Sequence, residues 1–143
     1  MAAANSCLIR VGRLMEVDLA DGYQTVDDVD DMIAKSSAEF AKLDPRLQAV
    51  VAADWRPCKV FTPEVAARAV QLLVGVSPHI ERAGILHRAD QPVSILQMMR
   101  LAKESNFVNR RVFTQAAPME AWLGEVLDLD ERARLHAFLA QRS

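Results

Sequence analysis

Residues 49–65, AVVAADWRPCKVFTPEV, constrain the fold more than any other stretch of the chain. The predicted strand Leu47 to Ala53 is apolar without interruption from Ala49, closes at Asp54, passes through a short loop carrying Arg56 and Lys59, and the chain restarts at Thr62-Pro63-Glu64. A run that is apolar at consecutive positions suits a strand covered on both faces, as in a parallel sheet flanked by helices. The restart predicts a helix, because Thr62 offers a capping hydroxyl and Pro63 needs no amide donor at the first helical position. The unit is therefore strand, loop, crossover helix. Its loop lies where open α/β sheets usually place their working surface.

The flanking segments repeat that alternation. Leu8 to Leu19 alternates apolar and polar residues over much of its length and predicts one long or two short strands, with Gly12 as a turn or bulge. Asp21-Gly22 is a turn. Thr25 before Val26-Asp27-Asp28 predicts an N-cap with carboxylates at the positive end of a helix whose Val29, Ile33, Ser37 and Phe40 share a face. Asp44-Pro45 ends that helix. The helix opened by Thr62 carries an inward stripe of Val65, Ala69, Leu72, Leu73 and Val76, and Gly75 with Ser77-Pro78 closes it. Arg82 to Arg88 predicts a strand, and Gln91-Pro92 starts a helix with Ile95, Met98, Met99 and Ala102. Arg111 to Phe113 predicts a short strand. Pro118 to Leu127 and about Asp130 to Leu139 predict two closing helices. Strands alternating with helices imply a sheet that is mostly parallel, with the first strand pair as an antiparallel edge.

Composition narrows the functional classes. The 143 residues suit one domain able to bury a continuous core, and 51% hydrophobic with 25% charged residues is ordinary globular usage. A net charge of -2 gives no general drive toward nucleic acid or an acidic membrane. No window approaches the ~18 consecutive apolar residues of a membrane span, and Arg10 and Arg13 interrupt the one stretch resembling a signal sequence. Cys7 and Cys58 are too few for a disulfide framework or a cysteine metal site. A soluble cytoplasmic protein without cofactors is expected.

The order of segments resembles the STAS-like fold, the group that contains anti-sigma factor antagonists and their sporulation-related bacterial relatives. The residues that carry the likeness are the strand ending VVAAD, the helix TPEVAARAVQLL, the strand AGILHR, and RRVFTQAAPMEAWL at 110–123, where a short strand leads into an Ala-Trp-Leu helix. The likeness covers residues 11–126. It implies a STAS-like α/β sandwich with a mixed, mostly parallel sheet of four to five strands and four to five helices. Residues 1–143 would form one domain, with 128–141 as a C-terminal helix. It further implies a noncatalytic interaction module with a protein partner in bacterial regulation. In the phosphorylated members an Asp-Ser-Ser-Gly helix start supplies a serine phosphoacceptor. Here Pro63 occupies that position and has no hydroxyl, so the serine switch does not carry over. The neighbouring Thr62 is hydroxylated, and a phosphate there would meet free amides and the positive end of the helix dipole; helix capping alone also accounts for it.

The expected partner surface is Asp54, Trp55, Arg56, Lys59 and Thr62. Asp54 alternatively bonds loop amides, and Trp55 either anchors an interface or covers the end of the core. Between Leu14 and Asp44 there are nine acidic and two basic residues, and between Pro45 and Arg111 ten basic and five acidic. The acidic Asp27, Asp28, Asp30 and Asp31 form either a solvated helix start or a secondary patch. Cys58 follows a strand but lacks the glycine-rich loop and downstream arginine of a phosphatase nucleophile. His79, His87 and His136 lack metal-ligand spacing. Two alternative functions remain: a small-molecule or lipid carrier whose cavity is lined by Leu96, Met98, Met99 and Phe107, and an enzyme using the Asp54–Thr62 loop. The last helix either packs on the domain or exposes Leu135, Phe138 and Leu139 to a partner, which includes a second copy in a homodimer.

Overall fold

A computed structural model describes residues 5–142. It is α/β: five strands, β1 (Ser6–Val11), β2 (Leu14–Asp18), β3 (Ala49–Asp54), β4 (Ile80–Leu86) and β5 (Arg110–Phe113), form one sheet in chain order. Five α-helices cover it: α1 (Val26–Phe40), α2 (Pro63–Val76), α3 (Pro92–Glu104), α4 (Ala116–Gly124) and α5 (Leu129–Ala140). β1 and β2 are an antiparallel hairpin, and every other neighbouring pair is parallel. The Leu8–Leu19 segment thus resolves into two strands. Gly12 makes their turn at φ +57°, a conformation that glycine adopts without the strain a Cβ would bring.

Side-chain parity sorts the core into two layers. Met15, Val17, Val51, Ala53, Ala83 and Ile85 pack against α1, α2 and α3, whereas Leu14, Val50, Ala52 and Leu86 pack against α4 and α5. Because both faces are covered, β3 is buried along its whole length, as its unbroken apolar run predicted. Leu135, Phe138 and Leu139 lie in the second layer, so the last helix is part of this chain's own core.

The helix starts follow their capping chemistry. The Thr25 hydroxyl accepts from the Asp28 amide, and the Asp28 carboxylate accepts from the Thr25 and Gln24 amides, which closes a capping box. Thr62 accepts from Val65 N–H at 3.4 Å, and Asp128 and Glu131 form a second capping box on α5. The acidic start of α1 is largely paired within the chain, Asp30 with Arg68 at 2.6 Å and Asp31 with Lys35 at 2.8 Å.

Arg110 resolves a different problem at the other end of the sheet. Its buried guanidinium donates to Leu73 O, to Ser77 Oγ and to Ser105 Oγ, the closing residues of α2 and α3. Helix C-termini carry partial negative charge, so one cation serves two helix ends without a carboxylate. Burial pushes the arginine down to about 10, and it stays charged at neutral pH.

Gly84 sits where α4 meets the sheet, and a Cβ there would lie 3.0 Å from Met119 Cε and 3.1 Å from its Cγ. Gly84→Val therefore overpacks this contact and should cost ~1–3 kcal/mol, read as a lower urea midpoint at unchanged slope.

Candidate functional site

The carboxyl ends of β2 and β3 bring Asp18 and Asp54 side by side, since the two are register partners. Both point to the α5 side, as do Leu14, Glu16, Val50 and Ala52 by the same parity. Adjacent carboxylates repel unless a cation joins them, and Arg142 does so, with Nη1 2.5 Å from Asp18 Oδ1 and 2.8 Å from Asp54 Oδ2. Arg56 grips Asp54 as a fork, Nε to Oδ1 and Nη2 to Oδ2, each at 2.9 Å. The Arg56 amide adds a third bond to Oδ1 at 3.1 Å. The same guanidinium also donates to the carbonyls of Leu139 and Arg142, which are orphan acceptors at the end of α5.

Asp54 is fully buried. Burial works to raise its carboxyl, but the hydrogen bonds from Arg56 and Arg142 outweigh it and hold the group below the usual carboxylate range. The strand-end acid is thus the centre of an internal ion network and not a contact residue. Trp55 is 2% exposed and packs edge-on to Tyr23 at 6.0 Å and against Phe61 at 5.8 Å; it covers the end of the first core layer. Of the five residues expected at the partner surface, Asp54 and Trp55 are buried, Arg56 is partly buried, and Lys59 and Thr62 are exposed. Cys58 is buried, and burial pushes its thiol well above the ordinary range, which disfavours the nucleophilic thiolate.

The surface continues from Lys59 and Thr62 onto α3. Gln97 brackets Phe61: its Oε1 accepts from Phe61 N–H at 2.7 Å and its Nε2 donates to Phe61 O at 3.0 Å. That pair of bonds fastens the β3–α2 loop to α3. On the outer side of α3, Val93 and Leu96 are each 67% exposed and Met99 is 54% exposed, and Val60 in the loop is 52% exposed. The sequence offered Met98 and Met99 together as candidate cavity lining. Met98 is buried and Met99 is not, because the helix turns the second of two consecutive methionines away from the core.

His87 and Ser94 were also not expected to meet. His87 is fully buried at the end of β4, and its Nε2 lies 2.7 Å from Ser94 Oγ in the first turn of α3. Burial lowers the imidazole below its ordinary value. No motif announces this pair, because the loop geometry between them, not their spacing of seven, makes the contact.

The apolar pocket between the sheet and the α1–α2 layer has a volume of about 40 Å³, against the ~300 Å³ or more of an ordinary ligand site. Its lining includes Met15, Met32, Val51, Leu72 and Ile85, and none of Leu96, Met98, Met99 or Phe107; Met99 and Phe107 instead line a surface groove of about 670 Å³. Among the described residues no three His, Cys, Asp or Glu side chains gather as a metal site, and no helix is long and apolar enough to cross a membrane. Protein-family models, curated proteins and solved structures give no match to the chain.

Asp54→Asn should leave two arginines facing a neutral side chain and cost ~3–5 kcal/mol at pH 7, the range for breaking a buried pair. The pH dependence has a definite sign. Since the folded carboxyl lies below its unfolded value of ~3.9, its contribution is complete above that value and disappears as pH falls through the folded one. Urea unfolding of the wild type and Asp54→Asn should therefore differ widely at pH 7 and converge in strong acid.

Proposed function

We propose that this chain is a noncatalytic protein-interaction module of the STAS-like type, acting in bacterial cytoplasmic regulation. The observation that carries the reading is the exposed apolar ridge of Val60, Val93, Leu96 and Met99, held as one surface by the Gln97–Phe61 bonds. Ordinary surface helices turn such residues inward. A ridge of this kind on a rigid loop and helix is the usual anatomy of a contact core with a polar rim.

Charge indicates the chemistry of the partner. Lys59 and Lys103 are exposed and make no ion pair among the described residues, so the complementary surface is apolar at its centre and acidic at its edge. Thr62 stands on the same rim at the start of α2. A phosphate on it would gain amide donors of that helix end while opposing an acidic partner. Thr62 is the proposed regulatory position, and binding by shape and charge replaces the serine switch of the phosphorylated members. The carrier reading has less support, because the apolar pocket under the α1–α2 layer is small, Leu96 faces solvent, and the groove of about 670 Å³ that Met99 and Phe107 do line lies at the surface with Lys103 and Asn106.

Cross-linking in the native host, followed by mass spectrometry, tests the proposal. Contacts to a protein partner should map to Val60, Val93 and Leu96. They should disappear in Leu96→Asp and persist in Leu129→Asp, a somewhat more exposed control on α5. Both variants should stay within ~0.5 kcal/mol of wild-type stability, as exposed substitutions do. Thr62→Asp keeps a capping oxygen and adds the charge, so it should weaken the contact, whereas Thr62→Ser should leave it intact. Contacts unchanged by Leu96→Asp would refute the assignment of this face.

A further inference from the structure

We propose that the outer edge of β5 takes up an extended segment of a partner protein as an added strand, a segment in which apolar residues alternate with acidic ones. The strands lie in the order β1 to β5, so β1 and β5 are the two edges of the sheet. An edge strand presents backbone donors and acceptors to any chain able to pair with it. The two edges differ in their cover. At β1 the Ile9 amide donates to the Glu39 carboxylate at 2.8 Å, and Lys35 Nζ donates to Asn5 O at 2.7 Å, so side chains of α1 occupy places where a further strand would bond. β5 has no such cover among the described residues. The inference rests on the β5 backbone and not on the proposed function, although Met99 borders both surfaces.

Register identifies the free groups. Ala83 N–H donates to Asn109 O and His87 N–H to Phe113 O, both at 2.9 Å, so Asn109, Arg111 and Phe113 turn their backbone groups toward β4. Alternation turns those of Arg110 and Val112 away from the sheet. The Arg110 amide folds back onto Phe107 O at 3.1 Å. Arg110 O and both backbone groups of Val112 bond to no described residue. An acceptor, a donor and a second acceptor therefore stand along the edge at the spacing of an unfilled ladder.

The same alternation sets the side chains that an added strand needs. Val112 lies on the α3 side with Phe107, and Arg111 lies on the α4 side, with its guanidinium 4.5 Å from the Trp122 ring centroid. On the α3 side the edge opens into the groove of about 670 Å³ lined by Met99, Ala102, Phe107, Val108 and Val112. A residue placed beside Val112 therefore meets apolar walls. A residue placed beside Arg111 meets an exposed cation that makes no ion pair among the described residues. Lys103 adds a second such cation at the groove, while Glu104 is engaged by Arg100 at 3.6 Å. Charge complementarity thus selects carboxylates at the alternate positions. A second copy of this chain fits worse, because its own β5 edge brings the same cations to the seam. Main-chain bonds supply the affinity of such a strand, and the groove and Arg111 supply its specificity.

Amide exchange read by ¹⁵N NMR on the full chain tests the edge, with a capped Val-Glu-Val-Glu-Val peptide as the probe. In the free chain the Val112 amide should exchange quickly, while the Arg111 and Phe113 amides, which carry the ladder to β4, exchange slowly. Saturating peptide should slow Val112. The matching Val-Lys-Val-Lys-Val peptide should bind more weakly, and Arg111→Glu should reverse that preference. Val112→Pro removes the outward amide and spares the β4 ladder, as proline on an edge strand does; it should weaken binding about tenfold, the loss of one hydrogen bond. Val108→Asp, at an almost fully exposed position, repels the same carboxylates and keeps the test independent of proline's effect on folding. Leu129→Asp on α5 should leave binding unchanged. A Val112 amide already protected in the dilute free chain, equal binding of the two peptides, or binding undiminished in both Val112→Pro and Val108→Asp would overturn the site. Protection that grows with protein concentration alone would assign the edge to a second copy and overturn the acidic partner.

Discussion

The buried carboxylate of Asp54 is the constraint on which the rest of the structure depends. A fully buried acid is tolerated only when several hydrogen bonds replace its water, and two arginines and a backbone amide supply them. Those arginines lie 86 positions apart, one in the loop just after β3 and the other beyond α5. Satisfying Asp54 therefore fixes where the last helix ends. Arg56 completes the arrangement by donating to the Leu139 and Arg142 carbonyls at that helix end. Further along, Arg134 forks onto buried Glu16 with two bonds of 2.7 Å, and Glu131 accepts from Arg13 N–H in the β1–β2 turn. Three polar ties along one side of α5 set its register more narrowly than apolar packing alone does.

This arrangement also closes the place where such sheets usually open a crevice. In doubly wound sheets the ligand crevice opens where the strand order reverses. Here the strands run in chain order, and α1, α2 and α3 all lie on one face. There is no reversal, and the carboxyl end of β3 is closed by Arg56 and the end of α5. What stays open lies to one side, between the loops after β4 and β5 and the start of α4.

The fold was legible because its signals are local and period-dependent. The apolar run into Asp54, the Thr62-Pro63 opening and the Thr25 cap each declare an element within a few residues. Boundaries were looser: β4 begins at Ile80 rather than Arg82, and α4 starts at Ala116, ahead of Pro118. The site was far less legible because its contacts are long-range. Nothing near Asp54 announces Arg142, 88 positions away, nor does Phe61 announce Gln97. Trp55 shows how parity decides such a case. In β3, alternate residues face opposite layers, so Asp54 turns toward α5 and Trp55 toward Tyr23 and Phe61. A strand buried on both faces carries no polar residue to reveal that parity in advance.

The loop between β3 and α2 shows what such contacts do for the proposed recognition. Arg56 ties its start to β3 and α5, Trp55 and Phe61 insert into the aromatic cluster, and Gln97 holds its end to α3. Between these anchors only Lys59 and Val60 are exposed. A loop fixed at both ends loses little conformational entropy when it meets a partner, so more of the contact energy remains available for affinity. The ion network at Asp54 and the amide bracket at Gln97 therefore act together: one closes the strand end against solvent, and the other presents the neighbouring ridge in a single shape.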